Sequence, residues 1–136
     1  MTSKFYVATT LSNADQAKIV IRRLSDFGHQ VTYDWTAHGK VSGHEAMQDV
    51  ALKELEGVVS ADFIVVLWPG GRGTHIELGA AMATNKPIFF ITPPEFDLDV
   101  SFYHHPNIVR FDNLDKAIEV IHKNLSVYES ALISDE

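Results

Sequence analysis

The chain has 136 residues, of which 46% are hydrophobic and 21% charged, and a formal charge of −7. These values describe one globular domain with an ordinary core, and the acidic balance excludes non-specific attachment to nucleic acid or to an anionic membrane surface. There is no cysteine, which excludes disulfides and a thiolate nucleophile and fits a cytoplasmic setting. Residues 1–5 lead straight into a strand with no apolar leader segment, and the longest apolar run, from Phe63 to Trp68, is far too short to span a bilayer.

Residues 5–8 predict a first strand. Asn13 precedes a helical stripe of Ala17, Val20, Ile21, Leu24 and Phe27, with Gly28 where a C-cap glycine belongs and capping-box spacing between Asn13 and Gln16. A second strand is expected over 30–33 and a polar loop over 34–43. The helix that follows is expected to carry Met47, Ala51, Leu55 and Val58 or Val59 as its apolar stripe. Residues 62–67 form the most apolar run and predict a buried third strand. A glycine-rich turn then opens a helix over 78–83 that Asn85 closes, and 87–91 is a fourth strand. The irregular segment 92–106 gathers Phe96, Phe102, Tyr103, His104 and His105, more apolar surface than a loop in water usually shows, so docking on another subunit is expected there. A fifth strand at 108–111 and a last helix at 114–125, with Ala117, Ile118 and Ile121 inward, complete a single domain over 1–125. Residues 126–136 form a weakly patterned tail, expected to fray.

Five strands alternating with helices predict an α/β fold: a three-layer Rossmann-like or flavodoxin-like sandwich around a five-stranded parallel sheet. Ligands of such folds sit at the carboxyl ends of the strands, here segments 9–13, 34–43, 68–74 and 92–106.

The run Trp68-Pro69-Gly70-Gly71-Arg72-Gly73-Thr74-His75-Ile76-Glu77 lies at that edge. A strand, a glycine turn and a helix N-terminus form a concave set of backbone N–H groups that favours an anion. Gly70, Gly71 and Gly73 are expected to permit close approach and positive φ, and Arg72 adds a cation suited to phosphate. Glu77 is expected in the first helical turn, facing the same mouth. A sugar- or phosphate-sized site beside a carboxylate points to glycosidic chemistry. Thr74 and Glu77 also have the spacing of N-cap and N3 in a capping box, in which Glu77 would only satisfy a backbone donor. Three further residues are candidates at the ligand edge. Thr9 ends the first strand, Asp34 could hold a sugar hydroxyl or cap its own turn, and Trp35 could stack on a base or pack beneath the loop. The seven histidines show no His-x-x-x-His pairing, so neither a metal nor a cofactor is expected.

Three stretches together resemble the signature of the nucleoside 2-deoxyribosyltransferase family, which includes 2′-deoxynucleoside 5′-phosphate N-hydrolases. They are Ala61-Asp62-Phe63-Ile64-Val65-Val66, Gly73-Thr74-His75-Ile76-Glu77-Leu78-Gly79-Ala80-Ala81 and Asn85-Lys86-Pro87-Ile88. The likeness is good over 54–91 and looser at the ends, where Phe5-Tyr6-Val7-Ala8 is similar to the family's first strand. The resemblance implies a glutamate nucleophile at Glu77 and cleavage or transfer at the N-glycosidic bond of a nucleoside or its 5′-monophosphate. It also implies a small-molecule substrate and a homo-oligomer whose active sites are completed across an interface. The family's proton-donating aspartate falls eight positions before Asp62, and this chain has Glu54 there, a carboxyl on a longer arm that is otherwise a solvated helix residue. Asp62 itself is expected to be structural. Transferases of free nucleosides often carry an acid six positions before the nucleophile. Gly71 stands there, followed by Arg72, which favours a 5′-phosphate over the turn. The string from Pro69 to Glu77 also resembles the Pro-Gly-Gly-x-Gly-Thr-x-x-Glu motif of cytokinin-activating phosphoribohydrolases, although their Met-His-x-Arg-Lys motif is missing. The alternative is a non-catalytic domain that binds a nucleotide or nucleotide-sugar at the same mouth.

Overall fold

The structure, a computed structural model, describes residues 3–123. The expected tail at 126–136 and the end of the last helix lie outside them. Five parallel strands form one sheet in the order β2-β1-β3-β4-β5, with β1 at Lys4–Ala8, β2 at Gln30–Val31, β3 at Phe63–Leu67, β4 at Ile88–Ile91 and β5 at Ile108–Phe111. This is the flavodoxin-like order. The register runs Phe5 beside Phe63 and Ala8 beside Val66, then Ile64 beside Ile88 and Leu67 beside Ile91. All five residues of β3 are buried, as its unbroken apolar run requires of a strand covered on both faces.

The helices are α1 at Ala14–Asp26, α2 at His44–Ser60, α3 at Arg72–Ala83 and a fourth, α4, described over 114–123. Right-handed crossovers send α1 to one face of the sheet and α2 and α3 to the other. α4 lies beside α1, where Arg23 meets Asp115 at 2.5 Å and the Phe27 ring stacks on His122 at 4.3 Å. Ala17, Val20 and Leu24 of α1 and Ala117, Ile118 and Ile121 of α4 are buried against the sheet. Gly28, at φ +92°, ends α1 as expected, and Asn85, at φ 59°, follows the end of α3.

Three local expectations need correction. Asn13 stands at the N-cap of α1 but makes no side-chain cap bond; its amide donates instead to Thr9 Oγ1 at 3.0 Å. β2 is shorter than 30–33, because the chain turns out of the sheet once Thr32 has bonded Phe5 O through its backbone N–H and Gly57 O through its hydroxyl at 2.7 Å. Of the stripe expected in α2 only Val58 is buried, next to Gly57, whereas Met47, Ala51, Leu55 and the alternative Val59 are exposed, as is Leu52. The 92–106 segment packs part of its apolar surface on its own domain: the Phe96 ring lies 4.3 Å from Trp68, and Tyr103 packs edge-on against Phe90. Phe102 remains exposed.

Candidate active site

In the order 2-1-3-4-5 the chain leaves β1 and β3 in opposite directions, and the crevice between their carboxyl ends is where such sheets bind ligands. A cavity of about 570 Å³ opens there. The end of β1 supplies Tyr6, Thr9, Thr10 and Leu11. The β2–α2 connection supplies Trp35 and His38 to Val41, α2 supplies Met47, Val50 and Glu54, and α3 supplies Gly71, Arg72, Gly73, Thr74 and Glu77.

The start of α3 differs from the sequence expectation. Gly71 is the N-cap and Arg72 the first helical residue, so Thr74 stands at N3, where its Oγ1 accepts the Gly71 N–H at 3.1 Å. Glu77 therefore lies in the second turn and takes no part in a capping box. Nor do Gly70, Gly71 and Gly73 use positive φ; among the described glycines only Gly28, Gly39 and Gly43 do. At Gly70 the constraint is contact, since an added Cβ would come 3.2 Å from the Thr74 methyl. Beside Gly73 there is open space, which belongs to the cavity.

Glu77 is only 8% exposed, at the cavity floor. Its Oε2 accepts a short hydrogen bond from the Tyr6 hydroxyl, and the Glu54 carboxyl is within hydrogen-bonding reach. Burial pushes the Glu77 carboxyl up to about 8; the Tyr6 bond opposes that rise and the Glu54 charge adds to it. Burial also raises Glu54, while its bond to Glu77 and nearby His38 favour its charged form. Tyr6 is driven well above the ordinary phenol range, first by burial and then by Glu77, so it serves as a hydrogen-bond donor. Two adjoining carboxyls in a poorly solvated floor cannot both ionise cheaply, and the pair retains a proton near neutrality.

Gly57 sets the approach of α2 to this floor. A Cβ at that position would meet Tyr33 Cβ at 3.0 Å and Tyr6 Cδ2 at 3.1 Å, so only glycine lets the helix lie against the Tyr6 ring. Glu54 is one turn earlier on the same side of α2 and is carried inward with it.

The remaining candidates divide. Trp35 is 5% exposed and donates Nε1–H to Val7 O at 2.8 Å; it is part of the core and lends one surface to the cavity. Thr9 Oγ1 donates to Pro69 O at 3.1 Å, joining the ends of β1 and β3. Asp34 and Gly70 stand outside the lining drawn from the described residues. The Asp34 carboxylate caps its own turn, taking the Thr36 N–H at 3.0 Å and the Thr36 hydroxyl. Asp62 accepts the Lys4 N–H at 2.8 Å, a structural role. Sequence reasoning missed Tyr6 as a site residue and offered His38 only as one of several loop histidines near the site. Tyr6 could have been suspected, because a phenol in the middle of a buried strand needs a hydrogen-bond partner. His38 is bonded to Tyr33 Oη at 2.7 Å through Nε2. Among the described residues no three His, Asp or Glu side chains converge as a metal site, and no helix is long and apolar enough to cross a membrane.

Comparison with known proteins agrees with this architecture. No curated protein matches the sequence. Thirty-four solved chains match the fold. The CMP N-glycosidase BcmB of Clostridium botulinum superposes with a TM-score of 0.63 at 14% identity, over 87% of this chain and 97% of its own. The 2-deoxyribosyltransferase of Bacillus psychrosaccharolyticus does so with a TM-score of 0.66 at 19% identity, over 85% of this chain and 90% of its own. At these identities the likeness establishes the fold. The nucleoside 2-deoxyribosyltransferase family model matches residues 5–120, nearly the whole domain, and the chain belongs to that family.

Proposed function

We propose that the protein cleaves or transfers at the N-glycosidic bond of a nucleoside or nucleoside 5′-monophosphate, with Glu77 as nucleophile and Glu54 as proton donor. The observation that carries this reading is that both carboxyls, Glu77 and Glu54, line one cavity together with Tyr6, whose hydroxyl bonds Glu77. The pair's one proton rests on Glu77 in the free site, and its transfer to Glu54 leaves Glu77 ionised. Delivery from Glu54 to a base nitrogen or oxygen then accompanies rupture of the C1′–N bond, whose electron pair leaves with the base. Glu77, as carboxylate, attacks C1′ and forms a glycosyl ester, and the Tyr6 hydrogen bond stabilises its charge before attack and after release. Water, or a second base, then attacks C1′, returns a proton to Glu54 and frees Glu77. The phosphate of a 5′-monophosphate is assigned to the turn Gly71 to Thr74, where Arg72 and the first N–H groups of α3 border the cavity.

Incubation with a panel of nucleosides and 5′-monophosphates, with and without an acceptor base, tests the reading chromatographically. Base release by the wild type and none by Glu77→Gln is the expected result. Nucleotide binding without release by either protein would replace it with the non-catalytic binding domain.

The reading includes a homo-oligomer. Met47, Leu52, Leu55 and Val59 make one exposed side of α2, the exposed Ile76 lies on the neighbouring α3, and Met47 also lines the cavity. A second copy on that side would cover apolar surface and wall the mouth together. Light scattering is expected to give at least a dimer, and a monomer for Leu55→Asp; a monomeric wild type overturns this part.

A further inference from the structure

The segment joining β4 to β5 supplies none of the described residues that line the cavity, yet it is bonded to the turn that does. His75, in the first turn of α3, holds both ends of the connection. Its Nδ1 is 2.7 Å from Gly71 O, and its Nε2 is 2.8 Å from Tyr103 Oη. A carbonyl can only accept, so Nδ1 carries the proton and Nε2 receives the hydroxyl hydrogen of Tyr103. Gly71 is thereby fixed on both sides, with its N–H on Thr74 and its oxygen on His75. Tyr103 in turn is packed against Phe90 and Phe96, 5.5 and 5.4 Å between ring centroids, and Phe96 lies on Trp68 at the head of the turn. Arg110 of β5 pins the start of the segment by donating to Thr92 Oγ1 at 2.5 Å and Pro93 O at 2.8 Å.

We propose that the Tyr103–His75 pair is a positioning device that holds Gly71 and the start of α3 in the orientation that receives a 5′-phosphate, and so sets the preference for phosphorylated substrates without touching them. The inference rests on the assignment of the phosphate to this turn. An anion held by backbone N–H groups is bound well only if those groups already point at it. A glycine turn with freedom to move would lose that freedom when the ligand arrived. The aromatic cluster supplies rigidity from outside, and His75, whose backbone N–H and Nδ1 both reach Gly71 O, transmits it to Gly71.

The test is calorimetric binding of 2′-deoxycytidine 5′-monophosphate and of 2′-deoxycytidine in the Glu77→Gln background, where turnover does not intervene. Tyr103→Phe removes one hydroxyl. His75→Asn keeps a side-chain donor for Gly71 O and drops the bond to Tyr103, and His75→Leu loses both side-chain bonds, leaving Gly71 O the backbone N–H of residue 75. The monophosphate is expected to bind about fivefold more weakly in the first two variants and about 20-fold more weakly in the third, as for one and then two hydrogen bonds. Nucleoside affinity is expected to stay within about twofold, a split that mere loosening of the fold would not give. A parent protein with no preference for the monophosphate overturns the phosphate assignment and the positioning role with it. A parent preference that survives all three variants, or equal losses for both ligands, overturns the positioning role alone.

Discussion

Glu77→Gln offers the sharpest test of the carboxyl pair, because its effect on stability should run opposite to its effect on activity. In the unfolded chain Glu77 has an ordinary carboxyl, near 4.5, and in the fold it is pushed up to about 8. Between those values the folded state binds more protons than the unfolded state, so this group makes stability fall as pH rises, by ~1.4 kcal/mol per pH unit at most. At pH 7 the accumulated cost is on the order of 3 kcal/mol, and at pH 4 it is absent. Glutamine can still accept the Tyr6 hydroxyl, can donate to Glu54, and has no charge to desolvate. The variant should therefore match the wild type at pH 4 and exceed it by ~1–3 kcal/mol at pH 7, while kcat falls by at least about 10³-fold. Urea unfolding of both proteins at pH 4, 5.5, 7 and 8 measures this directly. Parallel stability profiles, with the variant lower throughout, would refute the reasoning and return Glu77 to an ordinary structural carboxyl.

Three other outcomes follow from the same floor. Tyr6→Phe removes the bond that favours ionised Glu77, so the acid limb of the pH–rate profile should move to higher pH and kcat at pH 7 should drop about 10-fold or more; an unmoved limb would contradict the role given to Tyr6. Gly57→Ala puts a methyl against Tyr33 Cβ and the Tyr6 ring, and is expected to cost ~1–3 kcal/mol in a denaturant melt and to lower kcat by moving Glu54; a variant as active and stable as the wild type would show that α2 is not seated as described. Arg72→Ala should raise KM for 5′-monophosphates about 10-fold, more at low salt, and leave nucleosides unaffected; equal effects on both substrates would remove Arg72 from the phosphate subsite.

The sheet was legible because parallel strands covered on both faces must be apolar throughout, as Phe63–Leu67 is, and because Gly28 and Asn85 mark helix ends by chemistry that few other residues share. The crevice followed from the order of elements, and the site carboxylate from its place after the glycine turn. Less legible was where a helix begins or which of its sides is covered. Thr74 has the look of an N-cap, but the chain enters the helix three residues earlier and uses the same hydroxyl to accept the Gly71 N–H, which moves Glu77 from the first turn to the second. In α2 the apolar residues other than Val58 misled because they mark a side that should avoid water, without saying whether its own sheet covers it. The sheet instead takes the side with Gly57, where absence of a side chain permits approach.

The Tyr6–Glu77 contact shows why the floor of the site was hidden while its rim was not. The rim is local: Gly71, Arg72 and Thr74 are neighbours in the chain, and their chemistry can be read as a motif. The floor joins residues 71 positions apart, brought together only because β1 lies beside β3 and α3 packs across both. Each member taken alone has an ordinary explanation, a tyrosine in a strand, a glutamate in a helix, another glutamate one turn before a glycine. Their chemistry comes from the shared lack of water. In solvent Glu54 and Glu77 would both be ionised at neutral pH and would compete for no proton. In a cavity lined also by Leu11, Trp35 and Val50, with Gly57 letting α2 lie against the Tyr6 ring, burial raises both carboxyls and makes one proton common to them. The glycine that appears least chemical in the sequence thus sets how closely α2, and Glu54 with it, approaches the Tyr6 ring.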